Sequence, residues 1–168
     1  KLVRGRKRNL LAKELAAFFT RLHQFPRERA LALGIRDTDL WDDQYQDLIE
    51  FCRPMLGTRT NNWLIQTAER FQSEGGTTGG LKVLIHGDIS ADHILLNSNG
   101  ELQGIIDFGD AMIADPALDF AGLLNQFPWP FVERVLGYYK GRIDEGLRRR
   151  AEFYVSISPL FSVRYGDI

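Results

Sequence analysis

Two short apolar segments, each followed by a carboxylate, constrain this chain more than any other feature. Residues 83–85 lead into Asp88, and residues 104–106 lead into Asp107. The two aspartates are 19 positions apart, with the turn-forming sequence NSNG at 97–100 between them. A hairpin of this size brings strand ends together, so both carboxylates are expected to face one small site. Such a pair is suited to accept a proton from a hydroxyl and to hold a metal ion that carries phosphates.

Length and composition are those of a single globular domain. The chain has 168 residues, of which 44% are hydrophobic and 26% are charged. Its net charge of −1 gives no argument for a nucleic-acid or membrane partner, and no apolar run approaches the ~18 residues that span a bilayer. Cys52 is the single cysteine, which excludes an internal disulfide, favours a buried side chain and suits a cytoplasmic location.

The start of the chain is basic and leads at once into a helical pattern, without the apolar segment of a signal peptide. Its basic residues are expected to be solvated or to pack against sequence outside this chain: Lys1, Arg4, Arg6, Lys7 and Arg8. Because the chain has no initial Met and enters a helix so early, we expect that the front of a longer protein is missing.

Hydrophobic periodicity predicts a mainly helical α+β chain with a small central β-hairpin region. The predicted helices cover residues 9–24, 39–54, 60–73, 117–125, 131–139 and 144–163. The predicted strands cover residues 81–85, 94–97 and 102–106. A glycine-rich loop is expected at 75–80. Asp115 is the expected N-cap of the helix at 117, with Pro116 at its first position, and Pro128 and Pro130 are expected to end that helix.

The carboxylate of Asp88 is the candidate catalytic base. It follows Gly87 in a loop after a strand, where an aspartate can also serve only to form the turn. Asp107 opens an Asp-Phe-Gly sequence and is the candidate ligand for Mg²⁺, which bridges nucleotide phosphates; a turn that ends the strand is the alternative. Each motif alone is a weak signal, but His-Gly-Asp followed at this distance by Asp-Phe-Gly favours the catalytic interpretation.

Two histidines flank Asp88. His93 stands where a second cofactor and metal contact beside Asp107 is expected, although an imidazole nitrogen suits Mg²⁺ less well than an amide oxygen. The alternative is a histidine that only hydrogen-bonds within the loop. For His86 we favour a structural role, in which a neutral imidazole packs under the loop and holds its shape, over proton transfer.

Further acidic residues follow the second strand. Asp119 lies among apolar residues of a predicted helix, and a buried carboxylate needs hydrogen-bond donors, which the backbone of the loop at Asp88 can supply. We therefore predict that Asp119 supports this loop, with a solvent-facing aspartate as the alternative. Asp110 and Asp115 either face a cationic substrate or cap a turn or a helix.

An acidic stretch covers residues 37–50 and contains no basic residue. Its acids are Asp37, Asp39, Asp42, Asp43, Asp47 and Glu50. The stretch is either a wall for a polyamine-like substrate, with Asp42 and Asp43 as candidate contacts, or a solvated helix face.

Together these residues resemble the aminoglycoside phosphotransferase family, a branch of the protein-kinase-like superfamily. The family pattern His-x-Asp, followed by Asn five residues after the Asp, matches His86, Asp88 and His93, with histidine in place of asparagine. Three further segments match: Ile-Asp-Phe-Gly-Asp at 106–110, Asp-Pro-x-x-Asp at 115–119, and ELAAFFTRLH at 14–23, which looks like the helix that opens the family's C-terminal lobe.

The resemblance covers residues 1–168, yet only the C-terminal lobe of the family's fold. It implies that the N-terminal nucleotide-binding lobe, with its glycine-rich hairpin and strand lysine, is a missing partner of this chain. In the intact enzyme, Asp88 would deprotonate a hydroxyl of an aminoglycoside, while Asp107 and His93 would hold Mg²⁺ with ATP or GTP. The sequence DHIL at 92–95 looks closest to the branch that phosphorylates the 2″-hydroxyl. The isolated lobe is expected to be inactive.

Two alternatives stay open. A kinase of the same fold could act on a small metabolite such as choline, homoserine or a ketosamine, and the acidic stretch at 37–50 favours a cationic acceptor in either case. A lobe that binds a ligand without turnover is the second alternative, against which the intact Asp88 and Asp107 argue.

Overall fold

The computed structural model describes residues 6–77 and 80–166, and the mainly helical α+β prediction is confirmed. In order, the elements are α1 (Arg6–His23), α2 (Arg27–Ala32), α3 (Gln46–Cys52), α4 (Thr58–Ser73), β1 (Val83–Ile85), β2 (Ile94–Leu96), β3 (Leu102–Ile105), β4 (Met112–Ala114), α5 (Ala117–Gln126), α6 (Trp129–Tyr138), α7 (Leu147–Ile157) and α8 (Pro159–Tyr165). A π-helical turn at Trp41–Tyr45 leads into α3, and a 3₁₀ turn at Arg53–Met55 follows it. Lys1 and Arg4 of the basic start, and part of the predicted loop at 75–80, lie outside the described residues.

Helical periodicity builds the core. Leu11, Leu15 and Phe19 recur at four-residue spacing on α1 and are at most 2% exposed. The helix α1 packs against α6 and β1, while α5 packs against α7 with Phe120 and Leu123 fully buried. Burial of each such side chain contributes roughly 1.5–3 kcal/mol to folding. Among the described residues, no helix is long and apolar enough to cross a membrane.

The strands form two separate antiparallel pairs. The predicted hairpin forms between β2 and β3, with Ile94 opposite Ile105. The strand β1 does not join it: β1 pairs instead with β4, where Leu84 lies opposite Ile113. The sequence-based prediction missed β4 because three residues are too few to establish an alternating pattern. Asp88 and Asp107 therefore follow strands of two different sheets.

Proline chemistry explains two errors in the predicted helices. The predicted helix at 144–163 is two helices, α7 and α8, separated at Ser158, because Pro159 has no amide hydrogen with which to continue the first. Pro130 lies in the first turn of α6 and does not end α5. At the start of α5, Pro116 is the N-cap residue and Asp115 lies one position earlier, although its carboxylate still accepts a hydrogen bond from the Ala117 amide.

Candidate active site

The loop after β1 carries Asp88 and is shaped by Gly87. This glycine has a φ of 84°, in the left-handed region that favours glycine. A side chain there would also collide with the backbone of Asp110, since an added Cβ would lie 3.1 Å from its carbonyl carbon. The close approach brings the loop after β1 against the turn before β4, and the Asp88 side chain is left 51% exposed.

His86 is fully buried beneath this loop and joins it to the second carboxylate segment. Its Nε2 donates to the Ile106 carbonyl at 2.9 Å, and its Nδ1 accepts from the Asp88 amide at 3.3 Å. Because a carbonyl only accepts, Nε2 carries the hydrogen. The ring thus links the backbone at Asp88 to the residue that precedes Asp107.

Asp119 lies on α5 directly under the loop and is fully buried. Its two carboxylate oxygens accept from the backbone amides of His86 and Gly87, each at 3.0 Å. A buried carboxylate with these donors fixes the course of the loop immediately before Asp88. Two residues that the sequence analysis did not single out lie behind it: His23 contacts the Asp119 carboxylate, and Tyr139 contacts His23.

Asp107 begins the Asp-Phe-Gly turn in a left-handed conformation, with a φ of 65°. A non-glycine residue in this region is uncommon, and such conformations concentrate at functional sites. The Phe108 ring packs on His86, with centroids 4.6 Å apart, and on Phe18 of α1. The turn is therefore anchored to both the loop of Asp88 and the first helix, while the Asp107 side chain is 62% exposed.

His93 lies between the two exposed carboxylates. Its Nδ1 is 2.7 Å from the Asp88 carbonyl oxygen and 3.5 Å from Asp88 Oδ2, whereas Nε2 is 3.6 Å from Asp107 Oδ2. The hydrogen bond to the Asp88 carbonyl, reinforced by the charges of Asp88 and Asp107, raises the pKa of His93 against the weaker opposing effect of burial. In the neutral ring Nδ1 holds the hydrogen, so the bare Nε2 faces Asp107.

The donor set at Asp107 and His93 fits a cation that brings most of its own ligands. Within residues 6–77 and 80–166, no group of three or more His, Cys, Asp or Glu side chains is arranged to hold a metal ion. Mg²⁺ is commonly held by one or two protein ligands, with phosphates and waters completing the octahedron. One exposed carboxylate beside one imidazole nitrogen matches that mode, although the nitrogen is the poorer ligand.

A cleft of about 990 Å³ opens beside Asp88. Its walls come from residues 36–45, the loop after β1, the turn before β4, β4 itself, α5 and α8: Arg36, Asp37, Thr38, Asp43, Gln44, Tyr45, Gly87, Asp88, Asp110, Met112, Leu118, Phe161 and Tyr165. Four of these are acids and one is a base, so the cleft is suited to a cation. A smaller depression of about 460 Å³ between α4 and α7 includes none of the predicted site residues.

The four candidate substrate contacts separate into two that line this cleft and two that do not. Asp43 and Asp110 line it, whereas Asp42 is exposed outside it, because adjacent residues of a helical turn point in different directions. For Asp115 the substrate interpretation is wrong. Its side chain is 7% exposed and is engaged by Arg150 Nε at 2.6 Å and by the Tyr154 hydroxyl at 2.9 Å.

Comparison with known proteins identifies the family. The model of the phosphotransferase enzyme family matches residues 3–153. The chain belongs to this family. The resemblance to aminoglycoside phosphotransferases is confirmed by the solved GDP and kanamycin complex of APH(2")-IIia, which has a TM-score of 0.86 and 31% sequence identity over 99% of this chain. The gentamicin–APH(2")-IIa complex has a TM-score of 0.76 at 25% identity over 98% of this chain.

These relatives are longer than this chain. The chain covers 59% of the APH(2")-IIia structure and 58% of the APH(2")-IIa structure. The uncharacterized protein YcbJ of Bacillus subtilis (strain 168) is 34% identical over 84 residues, which are 50% of this chain and 27% of that protein. The kinase-like fold of the phosphotransferases is therefore established for this chain, over a little more than half of their length.

Proposed function

We propose that this chain is the C-terminal, catalytic lobe of a phosphotransferase that moves the γ-phosphoryl group of ATP or GTP to a hydroxyl of an aminoglycoside. The observation that carries the proposal is the position of Asp88, an exposed carboxylate at an acidic cleft, on a loop fixed from below by Asp119. Family membership supports phosphoryl transfer, and the relatives with bound GDP, kanamycin or gentamicin support the donor and acceptor classes.

Asp88 is the proposed base. As the acceptor hydroxyl oxygen forms its bond to the γ-phosphorus, its proton passes to the Asp88 carboxylate, and the bond from phosphorus to the bridging oxygen breaks to release the nucleoside diphosphate. The role requires a carboxylate that a substrate can reach, and the 51% exposed side chain meets this requirement. Most of the acceleration in such reactions comes from positioning and electrostatics, so a fixed loop matters as much as basicity.

Asp107 and His93 are the proposed ligands of a nucleotide-bound Mg²⁺, which supplies charge stabilisation for the transferring phosphoryl group when bound. The residues that line the acidic cleft include neither of them, and His93 Nε2 lies 3.6 Å from Asp107 Oδ2. The nucleotide and the acceptor would accordingly approach Asp88 from different sides, as in-line transfer requires.

The acceptor class follows from charge. Asp43 and Asp110 line the cleft with Asp88, while Asp37, a further acidic lining residue, is paired with Arg27 and Lys82. Carboxylates without such partners attract ammonium groups, and aminoglycosides carry several. Choline or a small amine-bearing metabolite would satisfy fewer of them.

Exposed apolar side chains around the β2–β3 hairpin support an N-terminal lobe as the missing partner of this chain. Four apolar side chains at or near the hairpin are 41–45% exposed: Leu95, Leu96, Ile106 and Phe108. Exposed apolar side chains next to a proposed nucleotide site favour coverage by the nucleotide base and by an N-terminal lobe of the same protein. The length that the solved relatives have beyond this chain leaves room for such a lobe.

The test is a screen of the full-length protein with ATP and GTP against aminoglycosides, choline, homoserine and a ketosamine. Nucleotide-dependent phosphorylation of an aminoglycoside is the expected result, and it should exceed that of the small amines. Transfer only to a metabolite would replace the acceptor class. A protein that binds no nucleotide would favour a ligand-binding lobe without turnover and refute the proposal.

A further inference from the structure

His23 is a buried histidine that no step of the proposed reaction uses. It ends α1, is 5% exposed, and lies between two polar groups from distant parts of the chain. Its Nε2 is 3.0 Å from Asp119 Oδ2, and its Nδ1 is 2.8 Å from the Tyr139 hydroxyl oxygen. The Phe19 and Phe120 rings flank it, so the imidazole is held between apolar surfaces.

The direction of each hydrogen bond follows from the partners. Burial, reinforced by the negative charge of Asp119, raises the pKa of Tyr139 to about 12, so its hydroxyl keeps its proton at neutral pH. Because a carboxylate only accepts, Nε2 of His23 carries the hydrogen that is donated to Asp119. In the neutral ring Nδ1 is then an acceptor, and the Tyr139 hydroxyl donates to it. The same Asp119 carboxylate also accepts hydrogen bonds from the backbone amides of His86 and Gly87, so it connects His23 to the loop.

Asp119 alone does not determine its own orientation. Both of its oxygens are needed, one for each amide, and a rotation about the terminal torsion of the side chain would weaken both hydrogen bonds. The donor from His23 lies 3.0 Å from Oδ2, so the same oxygen is held by a second group, from α1, and this contact restrains the torsion. Asp88 directly follows the two amides that Asp119 holds. A change in the orientation of the Asp119 carboxylate would therefore displace the proposed base.

We propose that His23 and Tyr139 are positioning residues for the loop that carries Asp88, acting through the carboxylate of Asp119. The inference rests on the proposed function for its catalytic consequence, but the ordering of the loop stands on the hydrogen bonds alone. Each residue is 5% exposed, so we expect neither to touch substrate. Each acts by holding the next group in the line.

Three substitutions in the full-length protein separate positioning from general stability. Tyr139→Phe removes the donor to His23, and His23→Leu removes the donor to Asp119. His23→Gln keeps an N–H donor near the position of Nε2. The matched control is Tyr154→Phe, which deletes another buried hydroxyl that donates to a carboxylate, that of Asp115 instead of Asp119.

The first measurement is amide hydrogen exchange of His86 and Gly87 by NMR. Tyr139→Phe and His23→Leu are expected to accelerate exchange at these two amides about tenfold, because their hydrogen bonds to Asp119 would open more often. His23→Gln and Tyr154→Phe should leave it near the rate of the unsubstituted protein. Exchange at both amides that is no faster in Tyr139→Phe and His23→Leu than in Tyr154→Phe would overturn the inference.

The second measurement is steady-state phosphoryl transfer, below the melting temperature of every variant. The two disruptive variants are expected to lower kcat about tenfold with KM for the nucleotide unchanged, and His23→Gln should recover most of the loss. Unchanged kcat in both would overturn the catalytic part. If the unsubstituted protein transfers no phosphate, the proposed function fails, and the exchange measurement still decides whether His23 and Tyr139 hold the loop.

Discussion

Gly122 of α5 is the position where the smallest change is expected to disturb the site most. The helix approaches the loop so closely that a Cβ added at Gly122 would lie 2.8 Å from the Ile89 Cβ and closer still to the Ile89 carbonyl oxygen. Ile89 directly follows Asp88 and is 4% exposed, so it has little room to move. Gly122→Ala must therefore push the loop and α5 apart.

The expected magnitudes follow from that geometry. Carbon atoms pack at about 3.5–4.0 Å, so relief of the contact needs a shift of about 1 Å. Alanine gains about 1 kcal/mol over glycine from helix propensity, whereas overpacking costs about 1–3 kcal/mol. Stability should consequently fall by at most about 2 kcal/mol. A displacement of about 1 Å at a catalytic group lowers the rate by about a hundredfold.

The assay compares kcat and the free energy of unfolding for Gly122→Ala and for Gly137→Ala. Gly137 lies in the last turn of α6 with nothing within 4 Å of an added Cβ, so it reports the backbone preference of the helix without a steric contact. Gly137→Ala should be slightly stabilised and fully active. A Gly122→Ala protein with the kcat of the unsubstituted protein would refute the argument that the contact between α5 and the loop sets the position of Asp88.

Three further predictions concern the charged groups. Asp107→Asn should weaken binding of Mg²⁺–nucleotide by at least about tenfold in calorimetry, and unchanged affinity would remove Asp107 from the proposed cation site. Arg150→Met should lower the free energy of urea unfolding by about 3–5 kcal/mol, because the buried Asp115 loses its cation; a loss below about 1 kcal/mol would contradict this. The hydrogen bond from Arg150 outweighs burial and lowers the pKa of Asp144, so its contribution to stability is complete above its unfolded-state pKa near 4 and is lost as pH falls through the lower folded-state value. The stability difference between the unsubstituted protein and Asp144→Asn should accordingly be constant above about pH 5 and shrink below about pH 4; a difference independent of pH would contradict the ion pair.

Much of the fold can be predicted from short-range sequence patterns, namely apolar spacing and turn-forming residues. The apolar spacing on α1 and α4 is strong enough to reveal these helices, and the NSNG turn reveals the β2–β3 hairpin. The strand β4 carries too little pattern of its own to be found, and its pairing with β1 depends on contacts between segments far apart in the sequence. Pro159 indicates the division between α7 and α8, but the continuous apolar pattern around it predicts a single helix.

In the candidate site, residues within sequence motifs could be predicted, whereas residues whose partners lie far away in the sequence could not. Asp88, His93 and Asp107 stand in motifs, and the structure brings the three side chains together. The burial of Asp115 cannot be predicted from the sequence, because its partner Arg150 lies 35 positions away in a helix whose basic residues suggest a solvated face. His23 was missed for a related reason. Its partners come from α5 and from the end of α6, and the only local signal was a histidine at the end of an otherwise apolar helix face.

The most direct test of the central claim is single-turnover phosphoryl transfer to an aminoglycoside by the full-length protein, for Asp88→Asn beside Asp92→Asn. Asp92 is an exposed acid of the same loop, so the control has the same change in charge. We expect Asp88→Asn to transfer at least about a hundredfold more slowly while it binds nucleotide normally, and Asp92→Asn to keep its rate. Equal rates for Asp88→Asn and the unsubstituted protein would contradict it.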